Sequence, residues 1–236
     1  MMRLRNIIGD MELLFLGNGD AFNYINGNNS SFFVKDRTLF LFDVGQAIFQ
    51  KAIYLKLFDN VDNIVIFITH LHLDHIGSLG EAICFDKVFN KDKKLTIIYP
   101  SKDKLIDAVK LYPLNEEDII SSLDGNIFGI HFHLEPAVHI ENSYSYFIDD
   151  GVTSFYYSGD NSVLNQNALK LLKDNKLDYL YVDVAPVQSS FHLGYKELKE
   201  FIEPKLRNKV YIMHMNSSFD VGKAKEDGFN IAKLYK

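Results

Sequence analysis

The sequence is poor in cysteine and contains no long apolar run. Its single cysteine, Cys84, cannot form a disulfide bond within the chain. No segment approaches the roughly 18 consecutive apolar residues that a membrane-spanning helix needs. Residues 1–10 carry Arg3 and Arg5 but lack the apolar stretch of a secretory signal, and we interpret them as an N-terminal extension before Met11. These absences predict a cytoplasmic protein without a membrane partner.

An excess of positive charge is also missing. The 236 residues include 25 Lys and Arg against 31 Asp and Glu, which gives a net charge of -6. Proteins that bind long nucleic acids without sequence preference usually present a basic surface to the phosphates. The charge therefore argues against a long nucleic acid as partner. The charge is compatible with a small anionic substrate that is held by metal ions.

The apolar pattern predicts an α/β protein, which we interpret as one domain covering residues 1–236. Alternating and continuous β-branched segments predict strands, and spacings of three to four residues predict helices. The predicted strands cover 12–16, 31–34, 39–42, 64–68, 95–99, 127–134, 144–148, 154–157, 179–183, 209–212 and 229–234. The predicted helices cover 47–58, 76–85, 104–111, 117–123, 162–174 and 195–202. This order favours two sheets sandwiched between helices.

Three histidines and one aspartate directly follow the predicted strand 64–68. They are His70, His72, Asp74 and His75. A structural core would not gather such groups at a strand end, because aspartate is almost never buried unpaired. Residues two apart on an extended segment share a side, so His70 and His72 can reach one metal ion. The following turn would then direct Asp74 and His75 to a second ion.

Three more polar residues follow later strands of the prediction. They are His139, Asp160 and His214. Taken singly, a histidine after a strand is more often a satisfied surface or core residue. Because all three stand at the carboxyl ends of predicted strands, their joint placement favours a single two-metal site.

The His-x-His-x-Asp-His pattern from His70 to His75 resembles the signature of the metallo-β-lactamase superfamily. The resemblance spans nearly the whole chain and implies an αββα sandwich, in which two mixed β-sheets are flanked by helices. It implies a first metal on His70, His72 and His139, a second on Asp74, His75 and His214, and a bridging Asp160. Zinc suits such an imidazole-rich site with a bridging carboxylate, and manganese is the alternative.

Shorter motifs resemble the ribonuclease Z-like phosphodiesterase branch of this superfamily. They are Phe15-Leu16-Gly17-Asn18-Gly19, Asn29-Ser30-Ser31, Leu41-Phe42-Asp43-Val44-Gly45-Gln46, His139-Ile140-Glu141-Asn142-Ser143-Tyr144-Ser145-Tyr146 and Ser158-Gly159-Asp160-Asn161. The branch's proton-transfer pair is matched by His192 and by Asp183, which replaces the usual Glu. Asp74, His192 and Asp183 are the residues that we assign to catalysis. No long tRNA-gripping arm is visible in the sequence, which argues against tRNA processing.

The resemblance implies a metal-dependent hydrolase that cleaves a small phosphodiester. Cyclic mononucleotides are the first choice, as in the cyclic-nucleotide-degrading members of the branch, which include phage anti-Pycsar enzymes. A two-metal-activated hydroxide would attack phosphorus, and His192, oriented by Asp183, would protonate the leaving alkoxide. The alternatives are a ribonuclease Z-like nuclease acting on RNA, which the charge disfavours, and a binding protein without chemistry, which the intact ligand set disfavours. Related phosphodiesterases often dimerise, so a homodimer is expected. The apolar face of the predicted helix 47–58 could contribute to the dimer interface or pack into the core.

Several other polar and aromatic residues each allow two interpretations, one functional and one structural. His131 and His133 share one face of a strand, and we expect that face to be solvated rather than to bind metal. Tyr144, Tyr146 and Phe191 could stack on a base, although aromatic residues beside strands are more often core. Asn216, Ser217 and Ser218 could bind phosphate or form a polar turn.

Overall fold

The computed structural model describes residues 11–89 and 93–236, and its first sheet contains six strands in sequence order. These strands are β1 (Leu14–Gly17), β2 (Ser30–Lys35), β3 (Thr38–Phe42), β4 (Asn63–Phe67), β5 (Lys94–Ile98) and β6 (Ile119–Ile120). The first three strands pair antiparallel, and the later pairs are parallel. Parallel neighbours need crossover segments. These crossovers contain α1 (Ile48–Tyr54), α2 (Leu73–Ile76), α3 (Leu79–Phe89) and α4 (Lys102–Val109).

Among the described residues, the second sheet contains seven strands, again in sequence order. They are β7 (Asp124–Ile127), β8 (Ile130–Pro136), β9 (Tyr144–Asp149), β10 (Ser154–Tyr157), β11 (Tyr179–Asp183), β12 (Val210–Met213) and β13 (Asn230–Ile231). Strands β7 to β10 pair antiparallel, and β10 to β13 pair parallel. The parallel crossovers contain α5 (Gln166–Lys173), α6 (Tyr195–Phe201) and α7 (Val221–Glu226). Both sheets are therefore mixed.

A layer of aromatic side chains fills the space between the two sheets. The ring of Phe42 lies 4.7 Å from that of Phe67, 5.6 Å from Phe155 and 5.0 Å from Tyr157, measured between centroids. All four side chains are fully buried, and burial of such large rings contributes strongly to stability. The helices cover the outer faces of both sheets with separate apolar clusters. The predicted αββα sandwich is confirmed.

The apolar face predicted for 47–58 belongs to the core. Ile48, Phe49 and Ala52 of α1 are buried in the cluster that covers the first sheet. Core packing therefore accounts for this face, which is not free for a second copy. No helix of the described ranges combines the length and the apolar character that would cross a membrane.

Two sequence predictions were wrong in detail. The helix predicted at 117–123 is a short 3₁₀ helix (Glu116–Asp118) followed by β6, because β-branched Ile119 and Ile120 pair with the edge of the first sheet. The single strand predicted at 127–134 is interrupted by a hairpin turn. Phe128 and Gly129 have φ of 47° and 77° there, and positive φ at both central residues is typical of a type I′ turn. The N-terminal extension predicted at 1–10 lies outside the described residues.

The topology brings the carboxyl ends of several strands to one edge of the sandwich. Strands β8, β10, β11 and β12 run in the same direction, as their pairings require. The end of β4 in the first sheet joins this edge, where the Tyr144 amide donates to the Thr69 carbonyl at 2.9 Å. Every predicted site residue follows, or ends, one of these strands.

Candidate metal centre

The structure brings all seven predicted ligands together at this edge. They form two groups: His70, His72 and His139, and Asp74, His75, Asp160 and His214. Within each group the ligand atoms lie within 4.8 Å of one another. The second group is entirely buried, whereas His72 of the first is exposed. The assignment of these residues as ligands stays a prediction, but their geometry suits it.

The backbone after β4 explains how one short segment serves both groups. His72 is extended, with φ -67° and ψ 152°, so its side chain returns to the side of His70. The single turn of α2 begins directly afterwards and carries Asp74 and His75 into the second group. This division between an extended segment and a turn is the one expected from the sequence.

The Asp160 carboxylate lies between the two groups. Its Oδ2 atom is 3.8 Å from Nε2 of His70 and 3.7 Å from Nε2 of His139. Its Oδ1 atom is 3.3 Å from Nε2 of His75 and 3.4 Å from Nε2 of His214. One carboxylate oxygen therefore faces each group, which is the arrangement that a bridging ligand requires.

Hydrogen bonds on the outer ring nitrogens turn the histidines inward. His75 Nδ1 lies 2.8 Å from Oδ2 of Asp43, and His214 Nδ1 lies 3.2 Å from Oδ1 of Asp183. His139 Nδ1 lies 3.0 Å from the Phe191 carbonyl. Donation from Nδ1 to these oxygens leaves the Nε2 lone pair free to bind a metal, as in many histidine ligands.

Asp43 contacts a predicted ligand, although the sequence analysis assigned it no role. Its side chain is fully buried and accepts hydrogen bonds from the amide and the hydroxyl of Thr69, both at 2.8 Å, besides its contact with His75. Its φ of 58° is unusual for a residue other than glycine and marks a constrained backbone. The available signal was an aspartate at the end of a buried strand, within the quoted motif 41–46.

Two atoms of the second group test whether the site fits a metal ion. Oδ1 of Asp160 and Nε2 of His75 are buried and have no hydrogen-bond partner among the described residues. An unsatisfied buried polar atom is costly, and a metal ion between them would satisfy both. In the first group, His72 Nδ1 lies 3.0 Å from His70 Nε2 and 3.3 Å from His139 Nε2. Nitrogens about 2.0–2.1 Å from a tetrahedral zinc ion would be separated by about 3.3 Å. The residues fit divalent metal ions.

The electrostatics differ between the two groups. Burial lowers the pKa of His70 well below its usual range and also lowers the pKa of His139, so both are held neutral, the form that binds metal. Burial acts the same way on His75 and His214, but neighbouring carboxylates, Asp160 foremost, outweigh it and raise the pKa of both. Burial raises the pKa of Asp160, yet His214 and His75 outweigh burial and hold its pKa well below the usual range. The second group therefore pairs carboxylates with histidines that keep their protons in the absence of a metal ion, and a bound metal ion would displace these protons.

His192 and Asp183 lie beside the second group. Nδ1 of His192 is 2.7 Å from Oδ2 of Asp183, while Oδ1 of Asp183 contacts His214. Burial lowers the pKa of His192, but its hydrogen bond and ion pair with Asp183 outweigh burial and raise the pKa above that of free histidine. Together with Asp160 and His214 they form a third cluster within 4.8 Å. The pair predicted for proton transfer is thus adjacent to the predicted metals.

An open pocket of about 750 Å³ leads to these residues. Its lining includes Asp74, His139, Asp160, His192 and His214. A substrate in this pocket would therefore reach both groups and the proposed acid.

The remaining sequence alternatives are resolved by burial and contacts. His131 and His133 have side chains that are 47% and 44% exposed and lie near Asp124, which confirms a solvated face. Tyr146 is core, and its hydroxyl donates to the Ile68 carbonyl at 2.6 Å. Phe191, in contrast, is half exposed and lines the pocket. Asn216 accepts hydrogen bonds from the amide and hydroxyl of Ser218, which is a polar turn outside that pocket.

Comparison with known proteins relates the chain to one protein family. The family model of anti-Pycsar protein Apyc1 matches residues 11–109 and 100–233. Apyc1 of Bacillus phage 010DV004 is 26% identical over 241 residues, covering 89% of this chain and 91% of the phage protein. Apyc1 of Paenibacillus harenae is 27% identical over 230 residues, covering 89% and 92%. Ribonuclease Z of Methanocaldococcus jannaschii is 35% identical over 104 residues, which are 43% of this chain and 32% of that protein.

Solved structures share the fold over almost the full chain. The metallo-β-lactamase fold protein YhfI from Bacillus subtilis has a TM-score of 0.72 at 15% identity, covering 95% of this chain and 96% of YhfI. A diphosphatase from the PhnP family has a TM-score of 0.73 at 18% identity, covering 95% of both chains. Zinc-bound PqqB from Methylobacterium extorquens has a TM-score of 0.71 at 10% identity, covering 95% and 98%.

These likenesses and the cluster of His and Asp side chains support a metal-dependent hydrolase of the ribonuclease Z-like branch. The two sheets with flanking helices are the metallo-β-lactamase fold. Because the family model covers nearly all of the chain from residue 11 onward, the chain belongs to the family of anti-Pycsar protein Apyc1.

Proposed function

We propose that the protein is a phosphodiesterase that hydrolyses a cyclic mononucleotide at a two-metal centre. The observation that carries the proposal is the position of Asp160, which presents one carboxylate oxygen to each group of predicted ligands. When bound, two divalent metal ions would activate a water molecule and stabilise negative charge on a phosphate. His70, His72 and His139 would hold one ion, Asp74, His75 and His214 the other, and Asp160 both.

Zinc is the proposed metal, with manganese as the alternative. Nitrogen donors dominate the first group, and imidazole together with carboxylate is a common donor set for zinc. The presence of zinc in PqqB, which shares this fold, supports the same choice.

The pocket supports a substrate with a single phosphate group. None of the described residues that line it is Lys or Arg. Phosphate charge would therefore be balanced only by the metals and by His192. A longer RNA carries several charges that need a basic groove. Membership of the Apyc1 family adds support for a cyclic nucleotide, because the branch that the sequence motifs resemble includes cyclic-nucleotide-degrading members, anti-Pycsar enzymes among them.

His192 is the proposed proton donor, and Asp183 positions it. The hydrogen bond between Nδ1 of His192 and Asp183 leaves Nε2 to donate a proton to the leaving oxygen. The contact between Asp183 and His214 also orients that predicted ligand. Asp183 would thus act through two histidines without touching the substrate.

The second candidate function is a ribonuclease Z-like nuclease. It rests on the 35% identity to ribonuclease Z, which covers only 104 residues. The absence of Lys and Arg from the described pocket lining disfavours the nuclease function.

One experiment separates the two functions. Purified protein with saturating Zn²⁺ or Mn²⁺ is incubated with the 3′,5′-cyclic phosphates of adenosine, guanosine, cytidine and uridine, and separately with precursor tRNA. We expect linear nucleoside monophosphates from the first set, and loss of this activity after chelation. Cleavage of precursor tRNA without cleavage of any cyclic nucleotide would favour the nuclease instead. Light scattering of the same sample tests the proposed homodimer.

A further inference from the structure

Two exposed phenylalanines line the pocket beside the predicted metal ligands. Phe22, in the turns between β1 and β2, is 90% exposed, and Phe191, in the loop before α6, is 50% exposed. Neither ring belongs to the buried clusters that hold the fold together. We propose that Phe22 and Phe191 form the surface on which the base of the substrate stacks. This inference rests on the proposed function and concerns how the base is bound.

The segment that carries Phe22 is fixed next to His214. Met215, the residue after His214, accepts hydrogen bonds at its carbonyl from the Asp20 amide at 3.1 Å and from the buried Asn23 side chain at 2.8 Å. The Phe22 amide donates to Oδ1 of Asp20 at 3.0 Å. The backbone on both sides of Phe22 is therefore tied to the strand end that supplies a predicted ligand, although its ring faces solvent.

Phe191 is fixed next to His139, in the other ligand group. Its carbonyl accepts the Nδ1 hydrogen of His139 at 3.0 Å, and its ring meets the His139 ring edge-on with centroids 5.7 Å apart. The Phe191 amide donates to the hydroxyl of Ser189 at 3.1 Å. The two loops are thus anchored beside predicted ligands of different groups, and both phenylalanines line the same pocket. A platform whose backbone is already ordered loses little entropy on binding.

The chemistry of the pocket favours stacking over readout of base edges. Its non-ligand lining includes the exposed apolar Leu73 and the half-buried Ile140 besides the two phenylalanines. Polar side chains outside the ligand groups and His192 are limited, in the described lining, to Asp20 and Gln46. Every nucleobase has a π-face, so stacking on aromatic rings tolerates different bases. The rings would raise affinity for the base and leave the chemistry at phosphorus unchanged.

Substitution of each ring tests the proposal. The variants are Phe22→Ala, Phe191→Ala and Phe191→Leu, the last of which keeps apolar volume but removes the π-face. Tyr24→Ala is the matched control, because Tyr24 lies in the same turns and is also 90% exposed but does not line the pocket. Steady-state kinetics are measured with adenosine 3′,5′-cyclic phosphate and with ribose 3′,5′-cyclic phosphate that lacks a base. Metal content is checked in every variant.

We expect each pocket variant to raise KM for the nucleotide by about 5- to 100-fold with kcat nearly unchanged, as loss of a base-stacking ring does elsewhere. KM for the base-free substrate should not change, and Tyr24→Ala should behave as wild type. An equal rise for both substrates, or no rise for either, would overturn the stacking surface while leaving the phosphodiesterase intact. If the wild-type protein cleaves neither substrate, the proposed function fails and the stacking surface fails with it.

Discussion

Oδ2 of Asp43 lies 2.8 Å from Nδ1 of His75, and both side chains are fully buried although they are separated by 32 residues in sequence. The contact fixes which nitrogen of His75 faces the second ligand group. Carboxylates in this position hold the ligand ring in place and raise its basicity. The aspartate is itself held by Thr69, so the orientation of His75 is set by a chain of buried hydrogen bonds.

Replacement of Asp43 by Asn should therefore weaken the binding of one metal ion more than the binding of the other. We expect Asp43→Asn to lower metal affinity about 10- to 100-fold at the second group and to leave the first group nearly unaffected. Titration against a chromophoric chelator would resolve the two affinities. Asp86→Asn is a suitable control, because Asp86 is also a buried aspartate and does not belong to the metal-site clusters. Unchanged affinity in Asp43→Asn would show that the contact does not support the ligand.

The ligand set could be predicted from the sequence because its chemistry is local. His70, His72, Asp74 and His75 are adjacent in the chain, and the isolated Asp160 and His214 were visible as polar residues that end apolar strands. Topology then brings such strand ends together at one edge. Asp43 also follows an apolar strand, but its contact with His75 could not be predicted, because the two residues are distant in sequence and only the paired strands β3 and β4 place them side by side.

The residues that line the pocket also could not be predicted from the sequence. Phe22 lies in a turn-rich segment without periodicity, and its place beside His214 depends on hydrogen bonds from Asp20 and Asn23 to Met215. Phe191 was one of three aromatic residues with two readings, and only burial separates it from the core residue Tyr146. The wrong helix at 117–123 has a similar cause, because pairing with β5 decides the conformation of its two isoleucines.

The wild-type protein is expected to bind two metal ions per chain. Asp160→Ala should remove both metals and abolish turnover, because the bridging carboxylate offsets the repulsion between two dications. His214→Ala should reduce the content to about one metal per chain. Elemental analysis of the three purified proteins at metal saturation measures this directly. A wild-type content near one, or an active Asp160→Ala, would contradict the two-metal assignment.

The surface histidines on β8 provide a negative prediction. His131 Nε2 lies 3.4 Å from Asp124, and its side chain is 47% exposed. We expect His131→Ala to retain wild-type metal content and turnover, because exposed pairs of this kind contribute little. Loss of a metal from this variant would reveal a site on that face and contradict its assignment as solvated.

Asp150 should make the stability of the fold pH-dependent. Its carboxylate accepts hydrogen bonds from Lys35 at 2.6 Å and from the amides of Val152 and Thr153 at 2.9 and 2.8 Å. Burial raises the pKa of Asp150, but the bond from Lys35 and the backbone bonds outweigh burial, so the pKa is lowered below its usual value. The carboxylate thus stabilises the fold above its unfolded pKa of about 3.9, and this contribution is lost as pH falls through the folded pKa.

Asp150→Asn should accordingly lower the free energy of unfolding by about 1 kcal/mol near neutral pH. The difference in unfolding free energy between wild type and variant should shrink below about pH 4, because Asp150 of the unfolded wild-type chain begins to take up a proton there. Urea unfolding of both proteins across this range measures the difference. If the gap stays constant down to the acid limit of folding, the ionised carboxylate is not its source.

The roles of His192 and Asp183 can be separated from metal binding by the leaving group. His192→Ala should keep both metals but should slow cleavage of a cyclic nucleotide by about 10²- to 10⁴-fold, the usual contribution of a general acid. A nitrophenyl diester should be affected far less, because nitrophenolate departs without a proton. Equal losses on both substrates would instead indicate that His192 binds phosphate or shapes the pocket.

Asp183 should show the same selectivity if it acts by positioning His192. The carboxylate lies 2.7 Å from Nδ1 of His192, and its other oxygen lies 3.2 Å from Nδ1 of His214. Asp183→Asn should therefore slow cleavage of the cyclic nucleotide more than cleavage of the nitrophenyl diester. It should also lower metal affinity somewhat, because Asp183 orients His214. The double variant should be little slower than His192→Ala, because groups that act as one unit are not additive. If the two losses multiply instead, each residue acts separately, and Asp183 does not work through His192.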